Sequence, residues 1–207
     1  LERNSFLAAL RPAVDSLLKF IEENALKVIG MEHTIDTVFP VIGAFTGSID
    51  LLLADADGNL VIVDMKWNEG KTYNRRLEKG NTLQLALYRK AMETDGHKVV
   101  CEGYFVLPQR KFLTSVDYLQ PSDIVEIIEG EQFGDHFELA CNSYEYRMEQ
   151  IEQGIIEEAE GFSLADIQYH KDANTRRLYP LERAYEDDTT KSSPYGTPNL
   201  ILKGGLA

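Results

Sequence analysis

Gly47-Ser48-Ile49-Asp50-Leu51-Leu52-Leu53-Ala54-Asp55-Ala56-Asp57-Gly58-Asn59-Leu60-Val61-Ile62-Val63-Asp64-Met65-Lys66 consists of two apolar runs around a turn signal. Residues 49–53 read as one β-strand and residues 60–63 as a second, apolar enough to be covered on both faces. Asp57-Gly58 between them marks a hairpin. Asp50, Asp64 and Lys66 stand out as charges at the ends of these strands. Asp64 and Lys66 are two apart and share a face. Whether Asp50 joins them depends on the turn. A strict two-residue loop pairs positions summing to 115 and leaves Asp50 opposite Met65. A loop of odd length, such as three residues with a glycine bulge, pairs positions summing to 114 or 116 and brings Asp50 to the same face. The odd loop is expected.

Two carboxylates held close together repel, and one stays protonated unless a cation sits between them. Hard oxygen donors favour Mg²⁺, which needs only one or two carboxylates and keeps its waters. A lysine beside such a metal can orient a water or stabilise developing charge. The set is suited to hydrolysing a phosphodiester. In a bland reading, Asp50 caps a turn, and Asp64 and Lys66 form a strand-end ion pair.

Gly47-x-x-Asp50, Val63-Asp64-x-Lys66 and Gln84-x-x-x-Tyr88, in that order, resemble the PD-(D/E)XK nuclease superfamily, and most of all its RecB-like branch at the ends of helicase–nuclease proteins. The likeness spans roughly residues 30 to 110. It implies an α/β fold with a restriction-endonuclease-like core, a mixed sheet flanked by helices, and a metal-dependent deoxyribonuclease, exonuclease favoured. It further implies Asp50, Asp64, Lys66, Gln84 and Tyr88 as catalytic residues. Asp50, Asp64, the Met65 carbonyl and Glu32 are the implied ligands for Mg²⁺ or Mn²⁺. The implied partners are DNA and a helicase domain or subunit. Some relatives carry cysteines for an iron–sulfur cluster near residues 162–182; this chain has none there, so no cluster is expected. The RecB branch also places a metal-binding His on the first helix, whereas the only upstream His here is His33. The alternative is a degenerate nuclease fold that binds DNA or docks a subunit.

The 207 residues fit one domain with an appendage, and 43% hydrophobic content suffices for a core. No apolar run approaches the ~20 residues that span a bilayer, so no membrane partner is expected. The polar start Leu-Glu-Arg-Asn has no signal-peptide pattern and no initiating Met, as expected of a fragment of a longer protein. Cys101 and Cys141 match no metal pattern, and Cys101 reads as a small buried hydrophobe in a reducing, cytoplasmic setting. The net charge of −13 is unusual for a nucleic-acid binder. The acidity is uneven, however. Residues 1–111 carry 14 Lys and Arg against 15 Asp and Glu, and residues 112–207 carry 7 against 19. Lys71, Arg75, Arg76 and Lys79 form a basic cluster after Lys66, the expected DNA-binding rim.

Along the chain, residues 11–29 read as a helix with apolar positions Val14, Leu17, Leu18, Ile21 and Val28, Pro12 in its first turn and Gly30 at its exit. Residues 31–39 read as a strand led by Glu32, 68–81 as a loop, 81–93 as a helix capped by Asn81 or Thr82, and 99–107 as a strand. Residues 121–129 read as a short helix. Asn142 and Glu145 read as a capping box opening a helix to Glu160. The expected organisation is a nuclease core over 1–112, a helical acidic extension over 113–185 and a loosely ordered tail over 186–207, whose Leu200-Ile201-Leu202 could dock as a strand.

Overall fold

The computed structural model describes residues 2–67, 70–80, 82–130 and 136–154. Its elements run α1 (Glu2–Glu23), β1 (Lys27–Phe39), β2 (Gly43–Ala54), β3 (Leu60–Lys66), α2 (Lys71–Glu78), α3 (Leu83–Thr94), β4 (Val99–Val106), β5 (Lys111–Thr114), β6 (Val125–Ile127) and α4 (His136–Glu152). The strands form one six-stranded sheet in chain order. β1–β2, β2–β3 and β4–β5 are antiparallel, whereas β3–β4 and β5–β6 are parallel. This is the α/β architecture expected, a mixed sheet with helices against it. The chain divides into two compact units, residues 1–137 and 138–207. The first holds the whole sheet, which continues past Phe112 through β5 and β6.

The hairpin folds as the odd-loop reading requires. Asp55 N–H donates to the Asn59 carbonyl at 3.0 Å and Gly58 N–H to the Asp55 carbonyl at 3.2 Å, leaving a three-residue loop. Gly58 takes a φ of +82°, the left-handed conformation this loop demands. The Asp55 carboxylate fastens the turn by accepting from the backbone N–H groups of Asp57 and Asn59, each at 2.9 Å. Partners therefore sum to 114, from Ala54 opposite Leu60 to Leu51 opposite Val63. Leu60, Val61, Ile62 and Val63 are all buried, as a strand covered on both faces must be.

One cluster of core side chains joins Phe20 of α1 to Leu51, Val61, Val63 and Phe105 of the sheet, with Phe20 and Phe112 ring centroids 4.9 Å apart. A separate cluster joins Tyr73 and Leu77 of α2, Leu85 of α3, and Tyr104 and Val106 of β4. β3 is sandwiched between them. Asp64 and Lys66 continue its alternation on the side that carries α2 and α3.

Several expectations need correction. The first helix is α1, Glu2–Glu23, with Pro12 inside it, and Val28 belongs to β1. Its buried positions include Ala13 and Phe20, while Val14 and Leu18 are 41% and 59% exposed. β1 begins at Lys27, four residues before the expected strand. The expected loop 68–81 contains α2, whose Tyr73 and Leu77, one turn apart, are both buried. Thr82 is the N-cap residue of α3 as expected, but its side chain makes no cap bond, and its Oγ1 lies 3.0 Å from His136 Nδ1 instead. The expected helix 121–129 is an extended segment with β6 as an edge strand. Asn142 and Glu145 lie inside α4, so they form no capping box at a helix start. Residues 155–207, with the end of the expected helix, the segment examined for iron–sulfur ligands and the tail, lie outside the described residues.

Candidate active site

β2 and β3 position the acids. Their ladder ends at Leu51 and Val63, and the next pair in that register is Asp50 and Asp64. The strands part there, and the Asp50 carboxylate takes over as hydrogen-bond partner. Its Oδ2 accepts from Met65 N–H at 2.6 Å. Asp64 is 1% exposed, and its carboxylate is ion-paired with the Lys66 ammonium two residues on. Burial pushes the Asp64 carboxyl above its ordinary value, against the hydrogen bond and charge of Lys66; the Asp50 charge pushes it further up, and Arg76 pulls it down. Asp50, Asp64 and Lys66 thus meet on one side of the sheet.

α3 supplies the next layer. Lys66 Nζ donates to Gln84 Oε1 at 3.4 Å, and Gln84 Nε2 donates to the Tyr88 hydroxyl at 3.0 Å. Gln84 and Tyr88 lie one turn apart on one helix face. Gly47 closes the chain of contacts, because a Cβ there would stand 3.2 Å from Tyr88 Cε1. The glycine of the Gly-x-x-Asp pattern lets the tyrosine ring lie against β2. All five side chains singled out as catalytic are therefore linked in space.

The other candidates are arranged differently. Glu32 is exposed at a φ of +48°, and its Oε2 accepts from Ser48 Oγ at 3.1 Å. It does not join the acids: among the described residues no three His, Cys, Asp or Glu side chains gather as a cation site. Lys71, Arg75 and Arg76 are exposed on α2, and Lys79 is half-buried just beyond it. Arg76 alone of these four is among the groups acting on the Asp64 carboxyl.

Two residues that the sequence reading passed over belong to the site. Tyr104 neighbours Asp64 across the parallel β3–β4 ladder and is 1% exposed. Tyr73 of α2 packs on it, with ring centroids 5.0 Å apart. Tyr104 was legible as a strand residue, but its place beside Asp64 requires a register between non-adjacent segments. Tyr73 stood in a segment without apolar periodicity.

A model of the PD-(D/E)XK nuclease superfamily matches residues 2–173. The chain belongs to that superfamily. No curated protein matches it. The six-stranded sheet and flanking helices of this PD-(D/E)XK chain are its restriction-endonuclease-like core. No helix among its described residues is long and apolar enough to cross a membrane.

PD-(D/E)XK proteins typically use Mg²⁺ or Mn²⁺, and the donor set here fits such an ion. Asp64 Oδ2 is buried in contact with the Lys66 ammonium, but the cost of burial outweighs the hydrogen bond and charge of that lysine. A buried carboxylate oxygen left in that condition is costly, and a hard cation would relieve it.

Proposed function

We propose that the chain is a Mg²⁺- or Mn²⁺-dependent deoxyribonuclease of the RecB-like type, exonuclease favoured, serving as the nuclease part of a helicase–nuclease or another DNA-repair protein. The observation that carries this reading is the meeting of Asp50, Asp64 and Lys66 on one side of the hairpin, with Gln84 and Tyr88 linked to the lysine. Asp50, Asp64 and the Met65 carbonyl would hold the metal; Glu32 was a fourth candidate, and its bond to Ser48 leaves it a supporting part at most. When bound, the ion supplies Lewis-acid activation of phosphate and water.

The chain's own residues do the rest. The Lys66 ammonium, steered by Asp64 and Gln84, orients the attacking water and steadies the charge that develops on phosphate. The Gln84 amide fixes the lysine, and Tyr88 fixes the amide. The exposed cations of α2, Lys71, Arg75 and Arg76, together with Lys79, face the substrate backbone.

The test is incubation of linear and circular DNA with Mg²⁺ or Mn²⁺, with and without chelator. Degradation of the linear form that stops with chelator is the expected result; intact DNA under every condition contradicts the reading. The second reading, a scaffold that binds DNA or a subunit without cutting, draws on the 7 basic against 19 acidic residues of 112–207, suited to a basic partner. DNA binding without cleavage is the outcome that favours it.

A further inference from the structure

α2 carries more than a basic rim. Tyr73 and Arg76 are three residues apart on it and lie on one face. The Arg76 guanidinium stands 5.6 Å from the centroid of the Tyr73 ring, Tyr73 packs 5.0 Å from Tyr104, and the Lys66 ammonium stands 5.9 Å from the Tyr104 centroid. Two rings packed at a tilt therefore tie together two cations, each within the ~6 Å at which a ring face attracts charge. Asp64 adjoins this pair of rings: it is ion-paired with Lys66 and beside Tyr104 in the sheet. Both rings are buried, at 6% and 1% exposure, whereas Arg76 is open to solvent. The rings are a fixed platform, and the guanidinium is the accessible group mounted on it.

The chemistry of the two cations differs. Lys66 is occupied by Asp64 and Gln84. Arg76 bonds the Tyr104 hydroxyl, and a guanidinium over a ring face has further donors of its planar fork left, which suit the paired oxygens of a phosphate. Held this way it loses little freedom on binding, unlike a lysine on a flexible stem.

We propose that Arg76 is a catalytic residue that touches the phosphodiester lying at the Asp50–Asp64 pair, and that Tyr73 is the positioning residue that holds it there. This rests on the nuclease reading and goes beyond it. There, Arg76 was one of four cations facing the backbone; here it acts on the reacting phosphate, and its placement depends on the ring face of Tyr73.

The full chain and its Arg76→Ala, Arg76→Lys, Tyr73→Phe and Tyr73→Leu variants are compared in single-turnover cleavage with Mg²⁺ at saturating DNA. Arg76→Ala is expected to lower the rate by about 10²-fold, as loss of a charge-stabilising donor does. Tyr73→Leu is expected to lower it about tenfold, and Tyr73→Phe, which keeps the ring face, to stay within about twofold. A second readout is independent of cleavage. The Arg76 Nε–Hε resonance, assigned by its loss in Arg76→Lys, is expected to shift when a short single-stranded oligonucleotide is added with Ca²⁺. It is also expected to lose its ring-current shift in Tyr73→Leu. If the wild type cuts no DNA, the nuclease reading falls and the catalytic role of Arg76 with it, whereas a wild type that cuts while the Arg76 variants keep its rate overturns this inference alone. A resonance unmoved by the oligonucleotide overturns it, as does an Arg76→Ala rate that returns to wild type once DNA saturates.

Discussion

The two sides of β3 are built on opposite terms. Toward α1, Val61 and Val63 meet Phe20 and Phe105 in a wholly apolar cluster. Toward α2 and α3, the same strand ends in Asp64 and Lys66, charges set beside buried rings. One side gains stability by removing hydrocarbon from water, at roughly 25 cal/mol per Å². The other gives up part of that gain by keeping a carboxylate where water cannot reach it. The contrast teaches where function resides. The apolar side holds the strand still, and the polar side uses that rigidity to hold groups that would otherwise avoid one another.

The sharpest way to break the comparison is to empty each side in turn. Lys66→Ala should lower cleavage by about 10²- to 10³-fold, the effect of removing one donor from a preorganised site. Its thermal midpoint should also fall, because the buried Asp64 carboxylate loses its ion-pair partner, and cleavage is therefore compared at a temperature where the variant is folded. Phe105→Ala, at a fully buried site on the opposite side, should cost about 3–5 kcal/mol in denaturant unfolding. Its residual folded fraction should still cleave.

Asp64→Asn should separate stability from activity on the polar side itself. Burial raises the Asp64 carboxyl, so the folded state holds its proton more tightly than the unfolded chain does. In chelator, the contribution of Asp64 to stability should therefore be fully present at low pH and be lost as pH rises through the elevated value. The asparagine variant should lose this slope and unfold at a higher temperature than the wild type at neutral pH, while cutting no DNA.

The smallest effect belongs to the hairpin tip that sets the register. Asp55 is lowered from 3.8 to about 2, first of all by the hydrogen bond from Tyr118 and then by Asn59. A lowered carboxyl stabilises the fold above its unfolded value, and that contribution is lost as pH falls from about 3.8 through about 2. Tyr118→Phe removes a 2.5 Å bond between exposed groups. The expected cost is about 1 kcal/mol or less at pH 7, shrinking toward pH 2, measured as the shift in urea midpoint.

Much of this was legible in the chain because it is local. Four consecutive apolar residues, 60–63, read as a doubly covered strand, and the glycine at 58 allowed a loop whose odd length brings Asp50 round to Asp64. Gln84 and Tyr88 followed from helical spacing alone. The misreadings have a common cause: the deciding contact lay elsewhere in the sequence. α2, Lys-Thr-Tyr-Asn-Arg-Arg-Leu-Glu, has only Tyr73 and Leu77 to bury, and they find their core in β4. Ile124, Val125, Ile127 and Ile128 have helical spacing, yet three residues there pair in parallel with β5. Tyr104 became part of the site only through the β3–β4 register.

A nuclease site here requires that Asp50 and Asp64 grip a divalent cation together. Electron paramagnetic resonance of Mn²⁺ added to the chain reads this directly, since bound ion loses its free six-line signal. The expected result is one Mn²⁺ bound per chain, with binding lost in Asp64→Asn and weakened in Asp50→Asn. Equal Mn²⁺ binding by the wild type and both variants would contradict it.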